Sequence, residues 1–298
     1  MPSTRGIVRA ARRPPGWCAP GPPPAVQLDR PELWPQPGEE LCYLTGDWRI
    51  LQRRRGHRWS LDDLVTAWCA AQLGAAAPPR RIADLGCGIG AVLLMLAWRF
   101  PSARCVGVEA QAASAALARR SAAWNGAAQR CDVRIGDLRD PAVFPEGAVF
   151  DLMTGTPPYV PRGSGREPSR ELQAACHIEQ RGGIEAYCRA AARLLASEGC
   201  FVACHAGSQI RRAESAAADA GLAIVRRIDV VPRLGKAALF AVYAMQRAAA
   251  QRPPIVSELV VRDEQGQWTA AFRALRGDMG MPITHGLGLG LGLGLDGD

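Results

Sequence analysis

Residues 81–90 read Arg81-Ile82-Ala83-Asp84-Leu85-Gly86-Cys87-Gly88-Ile89-Gly90, a short apolar strand that turns through three glycines into the apolar run 91–98. Glycines at such a turn let the backbone bend sharply and let a ligand approach it closely. The alternation continues outward. Strands are expected at 105–109, 133–135, 149–153 and 200–204, with helices at 111–124 and 184–196 between them. Gly199 is placed as the C′ residue closing the helix 184–196, and a helix over 208–220 takes Ser208 as its cap and Gly221 as its end. Two last strands, 223–231 and 237–245, follow as an antiparallel pair. Strands separated by helices imply right-handed crossovers, hence an α/β fold with a doubly wound, mostly parallel sheet. Its ligand lies beyond the carboxyl ends of the strands.

The rest of the chain bounds this core. It has 298 residues, 48% of them hydrophobic, which suits one large domain with a small appendage and excludes wholesale disorder, collagen and coiled coil. The longest apolar run, 91–98, stops at Arg99, short of the about 20 residues a bilayer span needs, so no membrane partner is expected. The formal net charge is +8, and Lys236 is the only lysine among 36 basic residues. So much arginine suits either oxyanion binding or a coding bias shared with Ala, Gly and Pro. The ten cysteines are scattered and form no C-x-x-C, which points to a reducing compartment rather than a disulfide scaffold. No metal is expected. Cys200, Cys204 and His205 make a poor ligand set, and the four histidines include no helical metal pair.

Both ends read as extensions of a domain spanning 41–276. The first forty residues hold ten of the 23 prolines and no acid before Asp29, with Arg5, Arg9, Arg12 and Arg13 present. That composition fits a disordered arm or an organelle transit peptide, so a cytoplasmic or an organellar location stays open. Beyond 277 the chain passes into alternating Gly and Leu up to Leu295, a low-complexity tail.

Three acids select among the nucleotides a glycine loop can take. Gly86, Gly88 and Ala91 alone satisfy the loose dinucleotide fingerprint. Asp84, however, stands immediately before the loop, where a carboxylate repels a pyrophosphate and attracts an ammonium group. Glu109 ends the second strand, where it can take both ribose hydroxyls. Asp137, in Ile135-Gly136-Asp137, follows the third strand and is placed to meet an adenine amino group. This combination suits S-adenosyl-L-methionine, which is cationic and carries no phosphate. Cofactor contacts are therefore assigned to Asp84, Gly86, Cys87, Gly88, Gly90, Glu109, Asp137 and Thr156. With these residues on the page, the segment from about 80 to 245 resembles the class I S-adenosylmethionine-dependent methyltransferases. That resemblance implies a seven-stranded sheet with an antiparallel last hairpin.

The fourth strand runs into Met153-Thr154-Gly155-Thr156-Pro157-Pro158-Tyr159. Consecutive prolines remove two N–H donors and stiffen the backbone, leaving outward carbonyls beside the ligand crevice. The aromatic ring that follows offers a flat surface for a base. An exocyclic amine is a poor nucleophile because its lone pair is delocalised into the ring. Acceptors around it, here the Pro157 carbonyl and the Thr156 hydroxyl, localise that pair. Thr156, Pro157, Pro158 and Tyr159 are accordingly assigned to catalysis, and the segment resembles the Asn/Asp-Pro-Pro-Tyr motif of amino methyltransferases. Thr156 departs from that motif, since its oxygen sits one bond closer to the backbone than an amide or acid would place it.

Weaker stretches resemble the bacterial tRNA(Val) adenine-N6 methyltransferase family. They are Arg58-Trp59-Ser60-Leu61-Asp62 with Leu64 and Ala67-Trp68, then Cys176-His177-Ile178-Glu179 ahead of Gly182, and Leu259-Val260-Val261-Arg262 followed by Trp268 and Phe272. Arg53, Arg54, Arg55 and Arg58 form the densest basic run and are assigned to the phosphate backbone of a nucleic acid. A second group, Arg211, Arg212, Arg226, Arg227, Arg233 and Lys236, is read as an ordinary solvated face. The resemblance implies methylation of the adenine N6 amine in RNA, tRNA first. Alternatives are a release-factor glutamine methyltransferase, a nucleic-acid-binding relative with impaired catalysis, and a small-molecule methyltransferase.

Overall fold

The computed structural model describes residues 15–22, 24, 27, 29–56, 58–144, 146–159, 182–247 and 253–283. Residues 1–14, the 176–179 stretch and the Gly/Leu tail from 284 onward lie outside them. An antiparallel hairpin, β1 (Glu39–Thr45) and β2 (Trp48–Arg53), comes first and leads to α1 (Leu61–Leu73). The core alternates β3 (Arg81–Leu85), α2 (Ala91–Arg99), β4 (Arg104–Glu109), α3 (Ala112–Trp124), β5 (Cys131–Ile135) and β6 (Phe150–Gly155). It continues with α4 (Ile184–Leu194), β7 (Leu195–Ala206), α5 (Ile210–Asp219), β8 (Leu222–Val231) and β9 (Phe240–Arg247). β10 (Ile255–Val260) and α6 (Ala270–Asp278) close the described chain. Among the described residues no helix is long and apolar enough to cross a membrane.

The main sheet has the order β10-β8-β9-β7-β6-β3-β4-β5, and only β9 runs antiparallel to its neighbours. It is the doubly wound α/β sheet expected, with eight strands instead of seven. Ile255–Val260 accounts for the difference by pairing in parallel with the outer side of β8. β3 is the switch point. The chain steps from it through β4 to β5 on one side and then returns to place β6 and β7 on the other. In such sheets the crevice for a ligand opens at the strand ends flanking the reversal.

Packing explains the central elements. Ile82 to Leu85 are all buried, as befits a parallel strand covered on both faces. Residues 91–98 are buried all round, because α2 is covered by the sheet on one side and by α1 and β1 on the other. A helix with no polar face cannot meet water, so the hairpin and α1 are integral to this core. Its outer edge is tied to the C-terminal helix region: the Tyr43 hydroxyl donates to the Gly280 carbonyl at 2.6 Å, and the Thr45 hydroxyl donates to that of Met279.

Two expected helix ends shift. The helix expected to reach 196 stops at Leu194, and Gly199 lies inside β7. Pairing of β6 with β7 begins at Phe150–Leu195, slips, and resumes at Leu152–Cys200, so residues 196–199 bulge. A Cβ on Gly199 would stand 3.0 Å from the Phe150 carbonyl, so this glycine serves close approach rather than a helix cap. Ser208 likewise caps nothing. It sits within one 3-10 turn, Gly207–Gln209, before α5 begins. Gly221 does end α5, with φ of +70°.

Candidate active site

The carboxyl ends of β3, β4 and β6 open on one solvent-connected cleft of about 200 Å³. On one wall, the loop after Leu85 carries Gly86, Cys87 and Gly88. Gly86 (φ +61°) has its Cα against the Tyr187 ring, where any Cβ would collide with the hydroxyl; beside Gly88 (φ +55°) there is open space. Gly90 (φ +89°) forms the N-terminal cap of α2. The loop is held from β4: the Cys87 N–H donates to the Val108 carbonyl at 2.9 Å. One Glu109 oxygen accepts from the Gly88 N–H at 3.0 Å and the other from the Gln111 N–H at 2.7 Å. Glu109, 6% exposed, thus clamps the loop and faces the cleft at once.

Asp84 behaves differently from its expected role. It is 2% exposed and is absent from the cleft lining. Its carboxylate accepts from the Thr154 hydroxyl at 2.8 Å and from the Leu93 N–H at 3.2 Å. Strand periodicity is the reason. Asp84 shares a face with Ile82, the face under α2, whereas Ala83 and Leu85 face the opposite layer. Burial pushes its carboxyl up to about 7, opposed by the bonds from Thr154 and Leu93. Asp84 therefore acts from behind the loop, fixing the start of α2 against the sheet.

Asp137 does line the cleft, but Arg139 grips it. Its Oδ1 accepts from the Arg139 N–H and Nε, both at 2.9 Å, and its Oδ2 from Nη2 at 2.5 Å. A ligand amine at this place shares the carboxylate with that guanidinium.

The opposite wall is the segment after β6. Thr156, Pro157, Pro158 and Tyr159 all line the cleft, with Pro157 buried and the other three half-buried. The Tyr159 hydroxyl donates to Asp62 at 3.0 Å and lies 3.0 Å from the Cys204 sulfur; burial pushes its pKa up. The buried His205 ring meets Tyr159 edge-on at 5.8 Å, a packing role in line with a structural histidine.

Sequence reasoning missed four contributors. Ser60, Asp62 and Asp63, at the amino end of α1, line the cleft. Asp63 closes a capping box by accepting from the Ser60 N–H at 2.9 Å, and burial, then the neighbouring Asp62, raise its pKa. The box Ser60-x-x-Asp63 was legible as a helix start, though not as part of the site. Tyr187, in α4, fills the space behind Gly86 and Gly155, and no local signal marks it.

None of the basic run lines the cleft. Arg53 ends β2, Arg54 and Arg55 are exposed, and Arg58 is ion-paired with Glu40, two residues before cleft-lining Ser60. In the second basic group Arg212 pairs with Glu185 and Arg227 with Glu214 and Asp229.

The lining decides which nucleotide fits. It contains Asp62, Asp63, Glu109 and Asp137 and no Arg, Lys or His among the described residues. An anionic cleft with a glycine loop fits a sulfonium and ammonium and opposes a pyrophosphate. Among the described residues no cluster of His, Cys, Asp and Glu is arranged to hold a metal.

Comparison with known proteins agrees with this geometry. A family described as "Methyltransferase domain" matches residues 82–161. The tRNA1(Val) (adenine(37)-N6)-methyltransferase of Porphyromonas gingivalis is 28% identical over 215 residues, covering 70% of this chain and 82% of its own. A 4-amino-L-phenylalanine/4-methylamino-L-phenylalanine methyltransferase of Streptomyces pristinaespiralis is 35% identical over 50% of this chain and 51% of its own. The release factor glutamine methyltransferase of Chlorobaculum tepidum is 30% identical over 43% of each chain. Among solved structures, a predicted O-methyltransferase from Agrobacterium tumefaciens superposes with a TM-score of 0.56 at 19% identity, covering 74% of this chain and 98% of its own, which is a likeness of fold.

Proposed function

We propose, from the premise that this chain is a class I S-adenosylmethionine-dependent methyltransferase, that it methylates the exocyclic N6 amine of adenine in RNA, with tRNA as the first candidate. One observation carries the reading: Pro157, Pro158 and Tyr159 line the same cleft as Gly86, Gly88 and Glu109, so the acceptor and cofactor walls face one space. The exposed Arg54 and Arg55 and the likeness to tRNA1(Val) (adenine(37)-N6)-methyltransferases support it.

The cofactor supplies an electrophilic methyl group on a cationic sulfur. Glu109 is the ribose clamp, with Gly86, Cys87 and Gly88 giving backbone room and Asp137 meeting the adenine. Gly90 sets the start of α2. Asp84 contributes by holding loop and helix in register. On the facing wall, the Tyr159 ring supports the target base and the Pro157 carbonyl accepts from its amine, localising the lone pair as the nitrogen becomes tetrahedral. The Thr156 hydroxyl is the second acceptor. Alignment of amine and methyl supplies most of the acceleration, and the alkylated amine then loses its proton readily to water. Arg53, Arg54 and Arg55 serve the phosphate backbone, with Arg58 tied to Glu40.

The test is incorporation of tritiated methyl from S-adenosylmethionine into total RNA and, separately, into protein extract. Label in RNA as N6-methyladenosine is expected. Label confined to protein would replace this reading with glutamine methylation.

A further inference from the structure

We infer that Gln209, oriented by Arg212 and Glu185, is a positioning residue that fixes the Tyr159 end of the acceptor wall. The inference deepens the reading that this wall holds the methyl acceptor.

The argument begins with an ion pair. Arg212, in the first turn of α5, reaches back to Glu185 in the first turn of α4 with two parallel bonds, Nε to Oε1 at 2.7 Å and Nη2 to Oε2 at 2.9 Å. Such a two-pronged contact sets the plane of the guanidinium. The remaining nitrogen, Nη1, donates to Oε1 of Gln209 at 3.2 Å. A guanidinium can only donate, so the Gln209 carbonyl must face it, and the amide NH2 must face the other way. There it meets the main-chain carbonyl of Tyr159, to which Nε2 donates at 3.1 Å.

The placement is selective. Gln209 and Arg212 do not line the cleft, whereas Tyr159 and Gly182 both do. Glu185 lies three residues after Gly182. The relay therefore ties residue 159, the last described before residues 160–181, to the start of α4. Tyr159 is held at both ends, its hydroxyl by Asp62 and its carbonyl by Gln209. Two anchors on opposite ends of one residue fix the direction of the ring, and with it the Pro157 carbonyl two residues earlier. Small displacements at such a place cost rate steeply.

The experiment compares wild type with Gln209→Ala and Gln209→Glu. The glutamate variant keeps a partner for Arg212 while presenting no donor to the Tyr159 carbonyl. Hydrogen exchange followed by mass spectrometry is expected to quicken about 5-fold in peptides covering 154–159 and 182–187, the equivalent of one lost hydrogen bond, while β3 and β4 stay unchanged. On whichever fraction wild type labels, RNA or protein, kcat should fall about 10-fold with affinity for S-adenosylmethionine unaltered, between the loss of one bond and the ~100-fold of an ångström's misplacement. Arg212→Ala combined with Gln209→Ala should be no worse than Gln209→Ala alone, since both break one chain. Wild-type exchange and turnover in both Gln209 variants would overturn the inference. So would multiplying losses in the double variant, or cofactor affinity and melting temperature falling together with kcat. Label appearing in protein instead of RNA sinks the RNA reading and leaves Gln209 judged by the same three criteria. Should neither fraction take label, the exchange result alone decides.

Discussion

Replacing Asp84 by asparagine should make the protein more stable at neutral pH, against the usual expectation for a polar residue under a glycine loop. The carboxyl is fully buried, and its pKa is lifted from an ordinary 3.8 to about 7, mainly by burial. Between those values the folded protein holds a proton that the unfolded chain has released. Stability therefore falls as pH rises through the window, and the loss is complete above about pH 7. At about 1.36 kcal/mol per pH unit, the gap from 3.8 to about 7 amounts to about 4 kcal/mol. An asparagine keeps the geometry: its carbonyl oxygen can accept from the Leu93 N–H, and its amide can donate to the Thr154 hydroxyl. It does not titrate. Urea denaturation at pH 5, 6, 7 and 8 should show the stability of Asp84→Asn relative to wild type rising by about 1.4 kcal/mol per pH unit up to about 7, then levelling. Thr154→Val removes the bond that favours the ionised form, so its inflection should move to higher pH. A difference between Asp84→Asn and wild type that is constant from pH 5 to 8 would refute the reasoning.

Three further outcomes follow from the cleft. Glu109→Gln weakens two charge-assisted bonds, one from the Gly88 N–H of the loop and one from the Gln111 N–H, together with the proposed clamp on the ribose, so calorimetry should show cofactor affinity about 10- to 150-fold lower; undiminished affinity removes Glu109 from the cofactor site. Thr156→Ala should cost about 10-fold in kcat, with Thr156→Ser near wild type, as loss of one acceptor predicts; an alanine variant within about 2-fold of wild type would leave the Pro157 carbonyl as the working acceptor. Arg54→Ala with Arg55→Ala should lower the slope of log RNA affinity against log salt by about 1 per residue removed, read from filter binding over a salt series. A slope equal to that of wild type excludes the pair from the interface.

The core was legible because a parallel strand buried on both faces must be apolar throughout, as Ile82-Ala83-Asp84-Leu85 nearly is, and because glycines announced the turn that follows. Glu109, Asp137 and the 156–159 segment reach the cleft for the same reason: they sit at strand ends, and strand ends are where the crevice opens. What a strand end does not disclose is facing. Asp84 and Glu109 look equivalent in a one-dimensional reading, yet one lies under α2 and the other faces the ligand space. The 184–194 helix was correctly started and wrongly ended, since the bulge at 196–199 depends on β6, a partner about 45 residues away. Residues from outside the alternating core were the hardest to place. Asp62 and Asp63 reach the cleft only because α1 packs on α2, and Tyr187 only because α4 covers the opposite layer. One signal was overlooked: Gly46-Asp47 between Thr45 and Trp48 is a two-residue hairpin turn.

The bonds from Tyr43 to Gly280 and from Thr45 to Met279 join positions 237 and 234 residues apart. During synthesis the hairpin emerges early and waits, its partner carbonyls still unmade, until nearly the whole sheet has left the ribosome. The α2 helix, apolar on every side, is born in the interval. A nascent chain halted before residue 279 therefore lacks both acceptors that close the outer edge of β1, and the residues just past α6 are the ones that latch that first strand shut.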